Sequence, residues 1–292
     1  MAIKITKIDN LNNVDEKIKS NIKNNFFLDQ DWLELVSKVF DLENVYLEIK
    51  YNGSLYYFFA HIQSSIILSP FMGYAGIINP SNLSYNELLE IFSEIEVFTG
   101  SKIKRVKMFP NVKSSNKFPE KNTHITVMLE VLNDQLDQEK KYKKVIRNSI
   151  NYAKRSGIEV KNISSSQIKD FYSIYSDTMK RVGSEYMTPC KLFEKMSEMT
   201  NVHFLGAYLD NKLLAGSIFM ISGDFMFYWW NSSNEKGRDL CANYLLIDSA
   251  IKFARTKGVK YIDMASSNND RIERGKLLWG SNKIPFFYFD FN

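Results

Sequence analysis

Residues 202–230 read VHFLGAYLDNKLLAGSIFMISGDFMFYWW, and they determine how the second half of the chain folds. Three apolar runs are separated by two turn signals, DN at 210–211 and SGD at 222–224. Apolar runs bounded by Asn, Asp and Gly predict β-strands joined by tight turns. A helical pattern follows, Gly258 ends it, and residues 259–265 read as one more strand.

The first half shows the same order of elements. A hairpin is predicted at residues 45–62, around an Asn-Gly turn, and a helix at residues 85–99, followed by a strand at 103–109. In both halves 47 positions separate the hairpin turn from the glycine that ends the helix (Gly53 to Gly100, Asn211 to Gly258). This agreement predicts a duplicated architecture.

A helix-to-strand crossover after each hairpin requires at least one parallel strand pair in an otherwise antiparallel sheet. The predicted fold class is therefore α/β (α+β), in two halves that each form a mixed, mostly antiparallel sheet flanked by helices. We place the boundary so that the N-terminal half is 1–139 and the C-terminal half is 140–292.

Net charge, cysteine and histidine content and the apolar segments exclude several classes of protein. The net charge of +5 over 292 residues permits an anionic partner but is too small for a dedicated nucleic-acid binder. Two cysteines without CxxC spacing and three scattered histidines predict no metal site and a reducing compartment. No signal peptide is visible, and the longest apolar stretch, residues 66–80, is too short to span a bilayer. We therefore expect a cytoplasmic protein without membrane insertion.

Residues 140–161, KKYKKVIRNSINYAKRSGIEVK, form a basic segment with eight basic residues and one acidic residue. The apolar stripe Ile146, Ile150 and Ala153 predicts a single helix that ends at Gly157. Two interpretations stay open. The segment is either a solvated connecting helix or a basic wall of a cleft between the halves, placed to bind a phosphate-bearing donor.

An ordered set of short motifs marks the second half of the chain. After the basic helix come Arg181-Val182-Gly183, the strand that carries Tyr228 and Asn231, and the segments GVKYID at 258–263 and GKLLWG at 275–280. From residue 142 onward this set resembles the Fem-like branch of the GNAT acyltransferase superfamily. The first half is similar more loosely, through FFLDQDWLELV and SPFMGYAGI.

The resemblance implies two GNAT-like halves and an acyltransferase or aminoacyltransferase. The family includes enzymes that build peptidoglycan cross-bridges from aminoacyl-tRNA, and acyltransferases of envelope and capsule pathways. The sequence departs from the family's pattern in two places. Gly275 precedes Lys276 where an aromatic residue is usual, and SSNEKGRDLCAN at 232–243 replaces the Gly-rich pyrophosphate loop of ordinary GNAT enzymes. The missing loop and the basic helix favour aminoacyl-tRNA slightly over acyl-CoA as co-substrate.

Acyl transfer to an amine needs a neutral nucleophile, an acceptor for its proton and donors for the developing oxyanion. No Ser-His-Asp or Cys-His arrangement is apparent, so direct attack by the acceptor amine is the simpler mechanism. Lys276 is the candidate contact for the transferring carbonyl or a terminal phosphate, against the alternative of a surface lysine. Asp263 is the candidate base or orienting group, against the alternative of a capping residue.

Other candidates are predicted to bind substrate or donor. They are Arg147 and Arg181 as clamps for an anion, Tyr228 and Asn231 beside the cleft, Trp279 for stacking or packing, Tyr74 and Gly73 on the acceptor side, and Arg238 and Asn243 for donor phosphate at a helix N-terminus.

The expected function is a transferase that moves an acyl or aminoacyl group from an activated donor to the amine of a small cell-envelope precursor or similar metabolite. We expect no tightly bound cofactor; aminoacyl-tRNA or acyl-CoA serves as co-substrate, and tRNA is a possible partner. The alternative is a catalytically inert double-GNAT binding or scaffold protein. A non-specific RNA-binding protein would need more clustered positive charge than +5 provides.

Overall fold

The structure is a computed structural model that describes residues 3–11, 14–78, 80, 82–110, 119–267 and 269–291. The chain divides into two compact units. Unit 1 comprises Met1–Thr126 and Ile284–Asn292, and unit 2 comprises Val127–Lys283. The boundary predicted from the sequence, between residues 139 and 140, stays a prediction. It assumes that each half is continuous along the chain, whereas unit 1 also contains residues from the last strand.

Helices and strands alternate along the chain. Up to residue 130 they are β1 (Lys4–Ile8), α1 (Glu16–Ile22), α2 (Gln30–Phe40), β2 (Glu43–Tyr51), β3 (Ser54–Gln63), β4 (Ile66–Ser69), β5 (Gly76–Ile78), α3 (Tyr85–Thr99), β6 (Lys102–Lys107) and β7 (Thr123–Glu130). The others are α4 (Gln135–Lys141), α5 (Lys144–Arg155), β8 (Glu159–Asn162), α6 (Ile168–Arg181), α7 (Cys190–Met196), β9 (Val202–Leu209), β10 (Lys212–Ser222), β11 (Phe225–Ser233), α8 (Glu235–Asp239), α9 (Ala242–Thr256), β12 (Tyr261–Ser266), α10 (Asp270–Leu277) and β13 (Asn282–Asp290).

The sheet of unit 1 has the strand order β1-β2-β3-β4-β6-β13, and β5 also pairs with β3. The predicted hairpin is confirmed as β2 and β3, which pair antiparallel along their whole length. The predicted parallel pair is β4 with β6, in which Ile67 lies opposite Ile103. β13 then pairs antiparallel with β6, so residues from the end of the sequence complete this sheet.

Local signals fix the helix α3 that covers this sheet. Ser84 and Glu87 form a capping box at its N-terminus, and Gly100 follows its last residue with φ +64°. The helix buries one face, made of Leu88, Ile91, Phe92 and Ile95, against a core that includes Phe287 and Phe289. Each such side chain stabilises the fold by about 1.5–3 kcal/mol through burial.

The sheet of unit 2 has the strand order β7-β12-β11-β10-β9-β8. The three apolar runs of residues 202–230 form the antiparallel strands β9, β10 and β11 as predicted, and β12 joins β11 in parallel. The α9 helix packs its apolar face on this sheet, and the stripe of α5 (Ile146, Ile150 and Ala153) is buried in the same core. Two mixed, mostly antiparallel sheets with flanking helices confirm the predicted fold class.

One helix prediction was wrong at its start. The basic segment forms two helices, because α4 ends at Lys141 and α5 begins at Lys144. Between them Tyr142 adopts an extended conformation, with ψ 137°, and its ring is 1% exposed. Burying this ring outweighs continuation of the helix. Within the described ranges, no helix combines the length and hydrophobicity that a membrane crossing requires.

Candidate active site

The parallel strands β11 and β12 pair over a short stretch only. Phe225, Met226 and Phe227 lie opposite Tyr261, Ile262 and Asp263. β11 continues to Ser233, paired on its other side with β10, and β12 continues to Ser266. Beyond Phe227 and Asp263, no further pair between described residues joins the two strands, which leaves an opening between their ends. This opening at the carboxyl ends of β11 and β12 is the candidate active site.

Lys276 lies in the last turn of α10, and its ammonium group reaches back to the end of β12. The Nζ atom donates to the carbonyl oxygens of Ala265 at 2.9 Å and Ser266 at 3.2 Å. An ammonium group has three donors, so the described residues leave one of them for a ligand. Burial lowers the pKa of Lys276 to about 8, and the charges of Asp263 and Glu273 oppose that shift. A half-buried, charged donor beside a strand end is suited to a developing negative charge.

Asp263 is buried, 1% exposed, at the last paired position of β12. Its Oδ1 atom accepts a hydrogen bond from the backbone N–H of Ala265 at 2.8 Å. Ala265 has φ +62°, so this hydrogen bond stabilises a backbone conformation that non-glycine residues rarely adopt. The structure thus brings Asp263 and Lys276 together, with the carboxylate shaping the chain that presents carbonyl groups to the ammonium.

Tyr228, Asn231 and Ser217 form a polar group on the neighbouring strands. Ser217 contacts Asn231 through Oγ and Oδ1 at 3.2 Å, and both side chains hydrogen-bond with the phenol of Tyr228. Burial raises the pKa of Tyr228, so its phenol stays protonated at neutral pH. Its ring stacks on Phe219, with centroids 5.3 Å apart. Between Ser217 and Phe219 the register of β10 shifts, which is why a simple alternation pattern does not reveal Ser217.

Arg238 and Asn243 meet at the end of β11. Arg238 donates from Nη1 to the carbonyl of Ser233 at 2.9 Å, and Asn243 donates from Nδ2 to the Ser233 hydroxyl at 3.2 Å. The Oδ1 atom of Asn243 is buried and accepts no hydrogen bond from the described residues. Asn243 lies in the first turn of α9 and Arg238 on the short helix α8 just before it, so both are near the helix end where backbone N–H groups favour an anion.

Three other candidates of unit 2 do not join this group. Arg147 donates to the carbonyl oxygens of Glu139 and Tyr142, and so caps the end of α4. Arg181 is the exposed last residue of α6 and forms no ion pair with the residues that are described. Trp279 is 2% exposed, with its ring against Tyr142 and Tyr244. Their substrate-binding roles stay predictions.

Tyr74 and Gly73 lie in the core of unit 1. The Tyr74 ring is fully buried and contacts Phe27, Phe109 and Phe286, and its hydroxyl lies 3.4 Å from Thr126 Oγ1. Gly73 has φ +88°, and a Cβ atom there would lie 2.0 Å from the Phe27 ring. In this arrangement both residues serve packing, so a contact with the acceptor would require a rearrangement of the core.

Two further polar residues near the opening were not among the candidates. The hydroxyl groups of Ser232 on β11 and Ser267 just after β12 are buried and form no hydrogen bond with the described part of the chain. The only sequence signal for them is a small polar residue interrupting an apolar strand. Among described residues, no group of His, Cys, Asp and Glu side chains is placed to hold a metal ion.

Comparison with known proteins agrees with this geometry. Residues 140–270 match the family model of the GNAT acetyltransferase domain. FemX superimposes on the chain with a TM-score of 0.67 at 13% identity, covering 99% of this chain and 98% of FemX. A tandem GNAT protein of the clavulanic acid biosynthesis pathway gives a TM-score of 0.56 at 9% identity, covering 99% and 98%. No curated protein sequence matches this chain.

A third similar structure is a C-terminal domain from Agrobacterium fabrum assigned as a lysylphosphatidylglycerol synthetase. Its TM-score is 0.58 at 12% identity, and the match covers 94% of this chain and 90% of that domain. Residues 140–270 thus match a GNAT acetyltransferase domain, and the whole chain has the fold of tandem GNAT proteins. The chain also shares the fold of FemX, which agrees with the Fem-like resemblance found in the sequence.

Proposed function

We propose that this protein transfers an acyl or aminoacyl group from an activated donor to the amine of a small cell-envelope precursor or similar metabolite, at the opening between β11 and β12. The observation that carries the proposal is the Lys276 ammonium, half-buried at that opening, which among the described residues donates two of its three hydrogens to backbone carbonyls. The third hydrogen is then available to the carbonyl oxygen of the donor.

The reaction needs only groups that the opening provides. The neutral acceptor amine attacks the donor carbonyl, forming a C–N bond, and Lys276 stabilises the oxyanion of the tetrahedral intermediate. Collapse breaks the C–S bond of a thioester or the C–O bond of an aminoacyl ester. The amine's proton passes through water or Asp263 to the leaving group, and the protonated phenol of Tyr228 is suited to donate a hydrogen bond to the leaving atom. No covalent enzyme intermediate is required.

Two observations bear on the donor. Lys143, Lys144, Lys154 and Arg155 on or next to α5 are exposed and form no ion pair with described residues, and α5 contains no acidic residue. Lys144 and Arg155 lie eleven positions apart, which is about three helical turns and places them on the same side of a helix. This surface favours the phosphates of aminoacyl-tRNA. Arg238 on α8, four positions before the first residue of α9, would instead suit the pyrophosphate of CoA.

The donor proposal is tested by replacing Lys144, Lys154 and Arg155 together with glutamine. We expect tRNA binding to weaken about 10- to 100-fold at moderate salt, and the slope of log K against log salt to become shallower by up to about 3. Binding is measured by fluorescence anisotropy with charged tRNA across a salt series. The matched control replaces Lys140, Lys161 and Lys195, which already pair with Asp137, Glu159 and Glu198, and so changes net charge equally.

Equal losses in both triple variants would show that only net charge matters and would contradict a docking role for α5. Binding of CoA without tRNA would replace tRNA by an acyl thioester as the donor, and Arg238→Ala should then weaken CoA binding. If neither donor binds, and the protein still binds an envelope-pathway protein, the alternative of a catalytically inert scaffold is supported instead.

The pH dependence of transfer distinguishes the charged from the neutral form of Lys276. Because the pKa of Lys276 is lowered to about 8, the ammonium is lost as pH rises through 8. If the ammonium stabilises the oxyanion, kcat declines above that pH, whereas a neutral lysine acting as base would make kcat rise. The measurement is kcat from pH 6 to 10 for the wild type and for Lys276→Arg. In the arginine variant the decline near pH 8 should disappear, because a guanidinium keeps its proton throughout this range.

A further inference from the structure

The corner between α4 and α5 lies directly against the chain that follows Lys276. Residues 141–143 of the corner contact residues 278–280, and the two segments run in opposite directions. Lys143 donates its backbone N–H to the Leu278 carbonyl at 2.9 Å, and the rings of Tyr142 and Trp279 meet edge to face, 5.0 Å apart. At Gly280 an added Cβ atom would lie 2.7 Å from Lys141 Cβ and 2.8 Å from its carbonyl oxygen. The two segments are therefore closely packed.

The segment after α10 also fixes the main chain of Lys276. The Lys276 carbonyl accepts hydrogen bonds from the backbone N–H of Trp279 at 3.2 Å and from the hydroxyl of Ser281 at 2.8 Å. A shift of residues 278–281 would therefore shift Lys276 itself. Because its ammonium reaches two carbonyl groups on β12, even a small shift of the helix end would change those hydrogen bonds.

The corner is held from two sides. Arg147 of α5 donates to the Tyr142 carbonyl and to the Glu139 carbonyl, which joins the end of α4 to α5. On the other side lies Asp248 of α9, whose side chain is 1% exposed. Its negative charge interacts electrostatically with the phenol of Tyr142. The Tyr142 hydroxyl and Asp248 Oδ1 are both buried and have no hydrogen-bond partner among described residues. Asp248 Oδ2 accepts from Lys252 Nζ at 2.8 Å.

We propose that Tyr142 is a positioning residue for Lys276: with its carbonyl held by Arg147 and its ring packed on Trp279, it fixes the end of α10 and thereby keeps the ammonium at the opening between β11 and β12. This inference rests on the proposed function for its catalytic meaning. The effect of Tyr142 on the environment of the Lys276 amine does not depend on that function and can be measured without it. It also gives Arg147 a role in holding the corner, in place of direct contact with an anionic substrate.

The test measures the titration of Lys276 without any substrate. Trace labelling with acetic anhydride at a series of pH values, quantified by mass spectrometry on the peptide that contains Lys276, gives the pKa of its amine. The wild type should titrate at about pH 8. In Tyr142→Ala, solvent gains access to the ammonium as Trp279 loses its neighbour, so the midpoint should move up by about one to two pH units, toward the ordinary value of 10.5.

Two variants make the result specific. Tyr142→Leu keeps most of the buried volume but removes the ring edge, so it should fold and still raise the midpoint, by a smaller amount. Phe193→Ala removes an equally buried ring of unit 2 that packs on Phe171, Tyr175 and Trp230 instead. This control should leave the midpoint at about 8. Equal shifts in the Phe193 and Tyr142 variants would reveal general loosening and overturn the proposal, as would an unchanged midpoint in both Tyr142 variants.

Failure of this inference is distinguishable from failure of the proposed function. If Lys276 titrates independently of Tyr142 while Lys276→Met abolishes transfer, the transferase proposal stands and the positioning role falls. If the Tyr142 variants move the midpoint but Lys276→Met transfers normally, the corner positions a lysine that the reaction does not use.

Discussion

Replacing Lys276 with methionine should lower the rate of transfer by about 100- to 1,000-fold, the usual cost of removing one donor to a developing oxyanion. Methionine has a similar length and fills the same space, so the change removes charge and donors without leaving a large cavity. The Ala265 and Ser266 carbonyls lose their partner, which makes a modest loss of stability part of the expectation. The measurement is single-turnover transfer with the donor that binds, beside a thermal melt.

The matched control for this prediction is Lys283→Met. Lys283 lies seven positions further on, is 51% exposed and pairs with Glu273. Its loss removes the same charge from an exposed position, so activity should stay within about twofold of the wild type. Lys276→Arg keeps the charge but places it in a planar group with different reach, and we expect it to retain less than a tenth of the activity. Normal transfer by Lys276→Met would refute the assigned role.

Gly73→Ala should destabilise unit 1 by roughly 3 kcal/mol or more, because two costs combine. A left-handed backbone, with φ +88°, costs an alanine about 1 kcal/mol, and its Cβ atom would lie 2.0 Å from the ring of Phe27. Phe27 is itself fully buried and contacts Trp32 and Tyr74, so the ring has little room to move. Urea unfolding followed by tryptophan fluorescence measures the loss.

Gly53→Ala separates the two costs. Gly53 also has a positive φ, +74°, but no atom lies within 4 Å of the position of an added Cβ. This variant should lose about 1 kcal/mol, from backbone strain alone. If the two variants lose the same free energy of unfolding, the contact with Phe27 carries no cost, and the packing role of Gly73 is refuted.

Helices and hairpins whose ends are determined by residues adjacent in the sequence were predictable from the sequence. Ser84, Glu87 and Gly100 are all within a turn of the ends of α3, and the predicted helix over residues 85–99 has the observed bounds. The hairpin around Asn52-Gly53 is another case, because its turn type is a property of those two residues. Here local chemistry and tertiary structure agree, so short-range reasoning succeeds.

Features set by distant residues were not predictable. The helix break at Tyr142 depends on Trp279 and Asp248, which lie more than a hundred positions away in the sequence. Tyr74 belongs to a glycine-containing motif that suggested a ligand site, yet Phe27, Phe109 and Phe286 bury it from three separate segments. For the candidate site, the family resemblance named Lys276, whereas only the structure shows its two carbonyl partners.

The position of β13 has a consequence for synthesis on the ribosome. Phe287 and Phe289 belong to the core beneath α3, and β13 pairs with β6, so about 180 residues are translated between the two strands of that pair. Residues 1–126 therefore emerge first but wait, with an incomplete sheet and an exposed apolar edge, until residue 290 has left the exit tunnel. Unit 2 ends at Lys283, only seven residues before Asp290, so both units complete their sequences late and nearly together. Chaperones should therefore protect the nascent N-terminal segment while residues 127–283 are translated.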